Sequence, residues 1–261
     1  MRSLRMRRGW IAMSMAGIVG VDDIIRAFQR AASWDALEGE LERASGQLGC
    51  AFFALTHHVD FEGGTARGIR LHNYPSSWEA WFDAPSLGQN DPVHRASHAT
   101  AAIFDWRGIE RLLALTPLDR RVLAQATAHG IGHGLTIPVH VPGELRGSCS
   151  FATRRGQTLA EDVLPLAQIA GTFAFEAARR LVDPAPSAGL AQLTRRQLEC
   201  IVWVARGKTD WEISRILRVS SATVTEHLRN ARDRCDAPTR ARLAVRALVD
   251  GAISYADVAE R

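Results

Sequence analysis

Apolar residues recur at helical spacing through the last quarter of the chain. Leu198, Ile201, Val202 and Ala205 fall at i, i+3, i+4 and i+7, which is one face of a helix. Thr194 and Gln197 precede them as an S/T-x-x-E/Q capping box, and Gly207 suits the left-handed residue that ends a helix. Thr209 and Glu212 repeat the box before Ile213, Ile216 and Leu217. Ser220 caps a predicted third helix with Val224, Leu228 and Ala231 as its inward stripe. Thr239 caps a fourth, with Leu243, Ala244, Ala247 and Leu248 inward and Gly251 at its end. A short helix, a tight turn at Arg218 and Val219 and a longer helix follow the order of a helix-turn-helix.

Upstream, helical and alternating patterns take turns. Stretches 22–32 and 34–48 predict amphipathic helices, and 50–58, 68–72 and 101–105 predict strands. Thr116, Pro117 and Asp119 supply an N-cap, a first-turn proline and an acidic first turn for a helix running to His129. Segments 134–141 and 145–153, joined around Pro142, Gly143 and Glu144, read as a hairpin, and 161–181 as a long helix. The expected fold class is α+β. An N-terminal α/β/α sandwich around a five-stranded antiparallel sheet precedes an all-α four-helix helix-turn-helix domain. The Pro/Gly/Ser-bearing stretch 183–192 predicts a linker. The expected organisation is an extension at 1–21, a front domain at 22–182, the linker, and a rear domain at 193–261.

Charge sharpens this division. The whole chain of 261 residues is +4. Residues 193–249 hold twelve Lys or Arg against six Asp or Glu, a net +6, which leaves −2 elsewhere. A basic C-terminal part is what phosphate binding requires. Val224 and Leu228 face inward, so Thr225, Glu226 and Arg229 face out near the start of the third helix. There a recognition helix meets base edges: Arg pairs with guanine, and Glu accepts from cytosine N4. Arg232, Arg234, Arg240, Arg242 and Arg246 lie further on, within reach of phosphates.

Four widely spaced cysteines, Cys50, Cys149, Cys200 and Cys235, form neither CxxC nor zinc spacing. They predict inert thiols in a reduced, cytoplasmic protein. The start of the chain is basic and then apolar, which mimics a short signal sequence. It is too short and Gly-interrupted for a membrane span. A DNA-binding module does not work after export, so the expectation is a disordered extension or a start codon placed upstream of Met13 or Met15.

Lys208 is the only lysine in the chain. A phosphorelay receiver and a Walker A loop both need one in the front domain, which leaves small-molecule sensing. Tyr74, Trp78, Trp81, Phe82, Asp91 and Trp106 gather aromatic surface and a carboxylate within one stretch, the make-up of a ligand pocket. Each has a plainer reading: Trp78 and Trp106 as core aromatics, Asp91 as a helix cap ahead of Pro92. His129 and His133 are spaced i, i+4 but flank an expected turn and lack a third ligand nearby, so no metal site is expected. No nucleophile–base pair points to an enzyme.

Two sets of residues carry a family resemblance. In the rear domain, Leu193, Thr194, Arg196, Glu199, Ala205, Gly207, Lys208, Glu212, Ile213, Leu217, Ser220, Thr223, Val224 and His227 follow the LuxR-type helix-turn-helix pattern. In the front domain, Trp78 precedes Asp91-Pro92 by 13 residues, Trp106 follows Asp91 by 15, and Gly134 follows Trp106 by 28. Gly130, Gly134, Thr136 and Pro138 form G-x-x-x-G-x-T-x-P. These spacings resemble the autoinducer-binding domain of LuxR-type quorum-sensing regulators, and the likeness covers roughly residues 22–253. It implies a cytoplasmic homodimer that binds double-stranded DNA and an N-acyl-homoserine lactone, with no further cofactor. The ligand residues it implies are Tyr74, Trp78, Phe82, Asp91, Trp106 and Ser150. The DNA-facing residues are Lys208, Thr223, Thr225, Glu226, Arg229 and Arg232. Phe82 departs from the usual Tyr, and Cys235 and Ala237 replace the usual apolar pair after the third helix. A regulator answering another small molecule or none, and a lactone-cleaving enzyme, are the competing expectations.

Overall fold

The computed structural model describes residues 20–58, 68–83, 87, 91–141, 144–182 and 193–259. The linker predicted at 183–192 and most of the extension at 1–21 lie outside them. The chain divides into two compact units, front and rear.

The front unit is built on a five-stranded sheet of order β2-β1-β5-β4-β3. The strands are β1 (Phe52–His57), β2 (Arg70–His72), β3 (Phe104–Asp105), β4 (Ile131–Val139) and β5 (Gly147–Arg154), and every pairing is antiparallel. Side chains alternate between the two faces of a strand, and the sheet uses this to build two different layers. Phe53 and Leu55 of β1, Leu135 and Ile137 of β4, and Cys149 and Phe151 of β5 face one core. That core is closed by α1 (20–30), α2 (Trp34–Gln47) and α6 (Leu164–Val182). Small residues on α6, Ala167, Ala170, Gly171 and Ala174, are buried, and an added Cβ at Gly171 would meet Ile137 at 3.0 Å.

The opposite face carries α3 (Ser76–Phe82), α4 (Pro92–Ser97), a 3-10 helix (Trp106–Arg111) and α5 (Pro117–Ala128). Two smaller apolar clusters lie here, one around Phe52, Trp78, Val122 and Ile131, the other around Val93, Ala96 and Ile109. The expected α/β/α sandwich is therefore present. Three details differ. Strand β3 has two residues rather than the predicted 101–105, because the chain turns at once into the 3-10 helix. Strand β4 starts at Ile131, so the stretch from Gly130 to Gly134 is a one-residue left-handed turn (Gly130 φ +90°) followed by strand, with a register shift between Ile131 and Gly134. Short helices α3 and α4 occupy the aromatic stretch.

The rear unit follows the capping signals. Helices α7 (Arg195–Ala205), α8 (Asp210–Leu217), α9 (Ser221–Arg234) and α10 (Arg240–Val249) open on Thr194, Thr209, Ser220 and Thr239. Reciprocal capping boxes with Gln197 and Glu212 close at the first two. A short α11 (Tyr255–Ala259) follows the four predicted helices. Ile201, Ile213, Val224, Leu228, Leu243 and Ala247 fill the shared core, together with Cys235 and Ala237. Arg218 makes the helix-turn-helix turn at φ +56°, a left-handed conformation usually left to glycine.

Candidate functional site

A cavity of about 80 Å³ lies on the second face of the sheet, and the six ligand residues implied by the family resemblance, Tyr74, Trp78, Phe82, Asp91, Trp106 and Ser150, all line it, whereas Trp81, grouped with them in the sequence, does not. The six come from five places in the fold. Tyr74 follows β2. Trp78 and Phe82 sit one turn apart on α3, rings 5.3 Å apart, and Trp81 stacks on Trp78 at the same distance. Asp91 stands at the head of α4, Trp106 opens the 3-10 helix, and Ser150 lies mid-strand on β5. Trp78 and Asp91 are buried. Burial, with the Asp91 charge second, pushes the Tyr74 phenol well above its usual range, so its hydroxyl keeps its proton as a donor.

Asp91 caps a helix and faces the cavity, and its Oδ2 lies 3.5 Å from His94 Nε2. Its Oδ1 accepts the Val93 N–H at 2.8 Å, capping α4 with Pro92 in the first turn, and its carboxylate lines the cavity. The capping reading and the ligand-facing position hold together in one side chain.

Trp106 donates its indole N–H to Thr136 Oγ1 at 2.8 Å, and Thr136 shares a 2.8 Å hydrogen bond with Ser150 Oγ across paired positions of β4 and β5. A hydroxyl has one proton and two lone pairs. With one Thr136 lone pair taken by Trp106, Thr136 can donate to Ser150 and leave the Ser150 proton for the cavity. Thr136 is fully buried. The sequence pattern contained it without marking it as part of a site.

Other polar walls were also missed: Thr56, Arg70, His72, Glu79 and His94. Arg70 grips both oxygens of Asp83 at 2.7 Å, and Glu79 lies 3.7 Å from His72 and 3.9 Å from Arg70. Beside this wall four imidazoles collect from three segments. His58 stacks on His94 with centroids 4.1 Å apart, meets His98 at 2.8 Å through Nδ1, and meets Ser148 at 2.9 Å through Nε2. His140 approaches His98 with centroids at 6.0 Å and donates from Nε2 to the Ser97 carbonyl at 2.9 Å. Burial, then the neighbouring His94, holds the His58 pKa far below that of ordinary histidine, and burial does the same more mildly at His98. His129 and His133 do not converge: the first meets Ser77 at 3.0 Å and the second Asp105 at 2.8 Å. Among the described residues no three His, Cys, Asp or Glu are placed to hold a metal ion.

In the rear unit Thr223, Thr225, Glu226 and Arg229 are exposed along the start of α9, while Arg232 and Lys208 are half-buried. Glu226 and Arg229 form a two-point ion pair at 2.7 and 3.1 Å, and Glu226 also accepts from Asn230 at 3.0 Å. The Arg229 hydrogen bond is the main reason that the Glu226 carboxyl lies below its usual range. Thr223 shares a 2.8 Å hydrogen bond with Ser220, and Lys208 pairs with Glu212 at 3.3 Å. Arg229 and Lys208 are thus each held by an acidic partner of their own.

Two family descriptions match the chain: "Autoinducer binding domain" over residues 33–178 and "Bacterial regulatory proteins, luxR family" over 191–247. The chain is 28% identical over 190 residues to the transcriptional activator protein LuxR of Aliivibrio fischeri, covering 70% of this chain and 74% of that one. It is 30% identical over 183 residues to the quorum sensing-dependent transcriptional regulator RpaR of Rhodopseudomonas palustris, covering again 70% and 74%. In fold it is similar to a crystal structure of Escherichia coli SdiA, with TM-score 0.68 and 23% identity over 91% of this chain and 99% of SdiA. A structure of SdiA in complex with octanoyl-rac-glycerol gives 0.64 and 24% over 88% and 93%. The relatives are transcriptional regulators, and no helix among the described residues is long and apolar enough to cross a membrane. An aromatic-walled cavity in the front unit, a capped helix-turn-helix in the rear one and both family matches agree: the chain belongs to the LuxR family of DNA-binding transcriptional regulators, in which an autoinducer-binding domain is joined to a luxR-type helix-turn-helix.

Proposed function

We propose that the chain is a cytoplasmic, homodimeric transcription factor that binds double-stranded DNA in response to an N-acyl-homoserine lactone and performs no chemical step. The convergence of Tyr74, Trp78, Phe82, Asp91, Trp106 and Ser150 on one cavity carries this reading. The ligand offers two carbonyl acceptors, one amide donor and an alkyl tail. Trp78 donates to the lactone carbonyl, Asp91 accepts the amide N–H, and Tyr74 donates to the acyl carbonyl. Ser150 adds a hydroxyl to the same polar end, while Phe82 and Trp106 pack on ring and chain. Each buried group left without a partner costs about 1–3 kcal/mol, so this match selects the head group. Ser150 has the Thr136 hydroxyl beside it, which is not the base that a hydrolase nucleophile needs.

Residues 22–182 hold the signal and 193–261 read DNA through Lys208, Thr223, Thr225, Glu226, Arg229 and Arg232. Val245 and Val249, four residues apart on α10, are 59% and 52% exposed; a second copy offering the same apolar stripe covers them. Two-fold related half-sites then lie about one helical turn, ~10 bp, apart.

A thermal melt of the full chain against a series of N-acyl-homoserine lactones tests the reading. Ligand at a hundredfold excess over Kd stabilises the folded state by about 2.7 kcal/mol. A shift with the lactone recovered intact supports a receptor, and lactone opening would instead mean an enzyme. A second reading is a neutral acyl ligand without the lactone, favoured by the octanoyl-rac-glycerol bound to the similar SdiA and by the acceptor at Asp91, which suits a ligand hydroxyl as well as an amide. A melt that shifts with octanoyl-glycerol and with no lactone would select it.

A further inference from the structure

Asp210, the first residue of α8, joins three helices of the rear unit. Its Oδ2 accepts the Thr225 hydroxyl of α9 at 2.9 Å, and its Oδ1 lies 3.2 Å from Arg240 Nη1 of α10. Arg240 in turn donates to the Lys208 carbonyl at 2.7 Å. The Asp210 side chain is 31% exposed, and its two oxygens are split between these two partners.

The consequence lies in the proton. A threonine hydroxyl has one proton to give and two lone pairs to receive with. The carboxylate takes the proton in a charge-assisted bond, the stronger kind. What Thr225 presents away from Asp210 is therefore acceptor lone pairs and its methyl group. In the major groove adenine N6 and cytosine N4 are donors, whereas guanine O6 and N7 offer only acceptors. We propose that Asp210 is a positioning residue for DNA recognition: by fixing Thr225 as an acceptor, it favours a donating base, adenine or cytosine, over guanine at the position facing Thr225. This rests on the reading that Thr225 faces a base. Arg240, held against the same carboxylate, contributes phosphate attraction without sequence preference.

The test is selection of binding sites from a randomised double-stranded DNA library by the full-length chain, followed by gel-shift affinities for all four bases at each selected position. Thr225→Val keeps shape and methyl but removes the acceptor, so it marks the position read by Thr225 by abolishing an adenine or cytosine preference there. Asp210→Ala frees the hydroxyl to donate. It lowers the preference over guanine at that same position about tenfold, the size of one hydrogen bond, and leaves the preferences elsewhere intact. Asp210→Asn retains an acceptor oxygen and keeps most of the preference. Asp210→Ser, too short to reach Thr225 yet suited to a helix start, should repeat the alanine result and serves where Asp210→Ala fails to fold. Arg240→Gln weakens all sequences alike. A purely structural Asp210 would also weaken all sequences alike, and unchanged base preference in Asp210→Ala and Asp210→Ser overturns the proposal. If Thr225→Val changes no position, Thr225 does not face a base, and both the DNA-facing assignment and the proposal fall.

Discussion

The indole N–H of Trp106 points at the hydroxyl of Thr136, 2.8 Å away, and the ring itself lies over Gly134, where an added Cβ would fall 2.5 Å from its atoms. Trp106 has spent its only donor inside the protein, so it serves the cavity by shape. Gly134→Ala should push the indole away, break the Thr136 contact and deform the pocket wall. Overpacking of this kind costs about 1–3 kcal/mol. A thermal melt should fall accordingly, and reporter dose–response should move to higher signal concentration. A melt equal to wild type would show that the indole has room to yield.

Asp91 separates capping from ligand contact. Asn caps a helix about as well as Asp, so Asp91→Asn should leave the apo melt nearly unchanged. Charge-assisted hydrogen bonds are roughly twice as strong as neutral ones, so the same variant should need far more ligand for half-maximal response. Asp91→Ala loses the cap as well, with about 1 kcal/mol of stability. Trp78→Phe should keep the packing against Trp81 and Phe82 but weaken the response through the lost donor. A wild-type dose–response curve for Asp91→Asn would reduce Asp91 to a cap.

The imidazole cluster should make the front unit sensitive to mild acid. His58 and His98 have lowered pKa values in the folded state, so folding favours their neutral forms. Unfolded histidine titrates near 6.5. Above that pH neither state binds the proton and the contribution is fully present. Below it the unfolded chain takes up protons that the folded one excludes, and stability falls. Asp105 and Asp119, whose pKa values are lowered, add losses only in stronger acid, below about 4. Melting temperature followed from pH 8 to pH 5 should drop below about 6.5, and His58→Gln should flatten that drop. The same slope in His58→Gln would place the sensitivity elsewhere.

Arg229 is held by Glu226 at 2.7 Å. Arg229→Ala should weaken binding to the best operator by about 1–3 kcal/mol, the worth of a bidentate guanine contact, with ligand affinity untouched. Gel shifts that match wild type on that operator would remove Arg229 from the base-reading set.

Arg218 sits at φ +56° with no glycine freedom. Left-handed backbone costs an ordinary residue about 1–2 kcal/mol, while glycine adds unfolded-state entropy worth about 0.5–1 kcal/mol. Arg218→Gly should therefore stabilise the rear unit slightly, by up to about 1 kcal/mol, seen as a higher melting temperature. A lower one would show that the Arg218 side chain supplies more than the turn costs.

The rear unit was legible in the sequence almost helix by helix, because each of its four main helices opens on a Ser or Thr cap and carries a full apolar stripe. The front sheet was legible in strand count but not in strand ends. Helix α4 has six residues and α3 seven, too few turns to establish a period, and three aromatics in α3 read as pocket wall before they read as helix. Five of the six cavity residues stood out as aromatics and a carboxylate at telling spacings, and Ser150 came only through the family resemblance. Arg70, His72 and Thr56 did not, since a polar side chain on a short strand looks solvent-facing until the layer above it is known. The imidazole cluster was invisible for a similar reason: His58, His94, His98 and His140 meet only through the topology of β1, α4 and β4.

Lys208 offers an experimental handle. It is the only lysine among 261 residues, it stands in the set proposed to meet DNA, and its amine rests 3.3 Å from Glu212. An amine-directed acylating reagent therefore has one side-chain target, and the extent of its modification becomes a direct reading of operator occupancy. Protection from the reagent on adding DNA would report binding in the unmutated chain, without a fluorophore or an introduced cysteine.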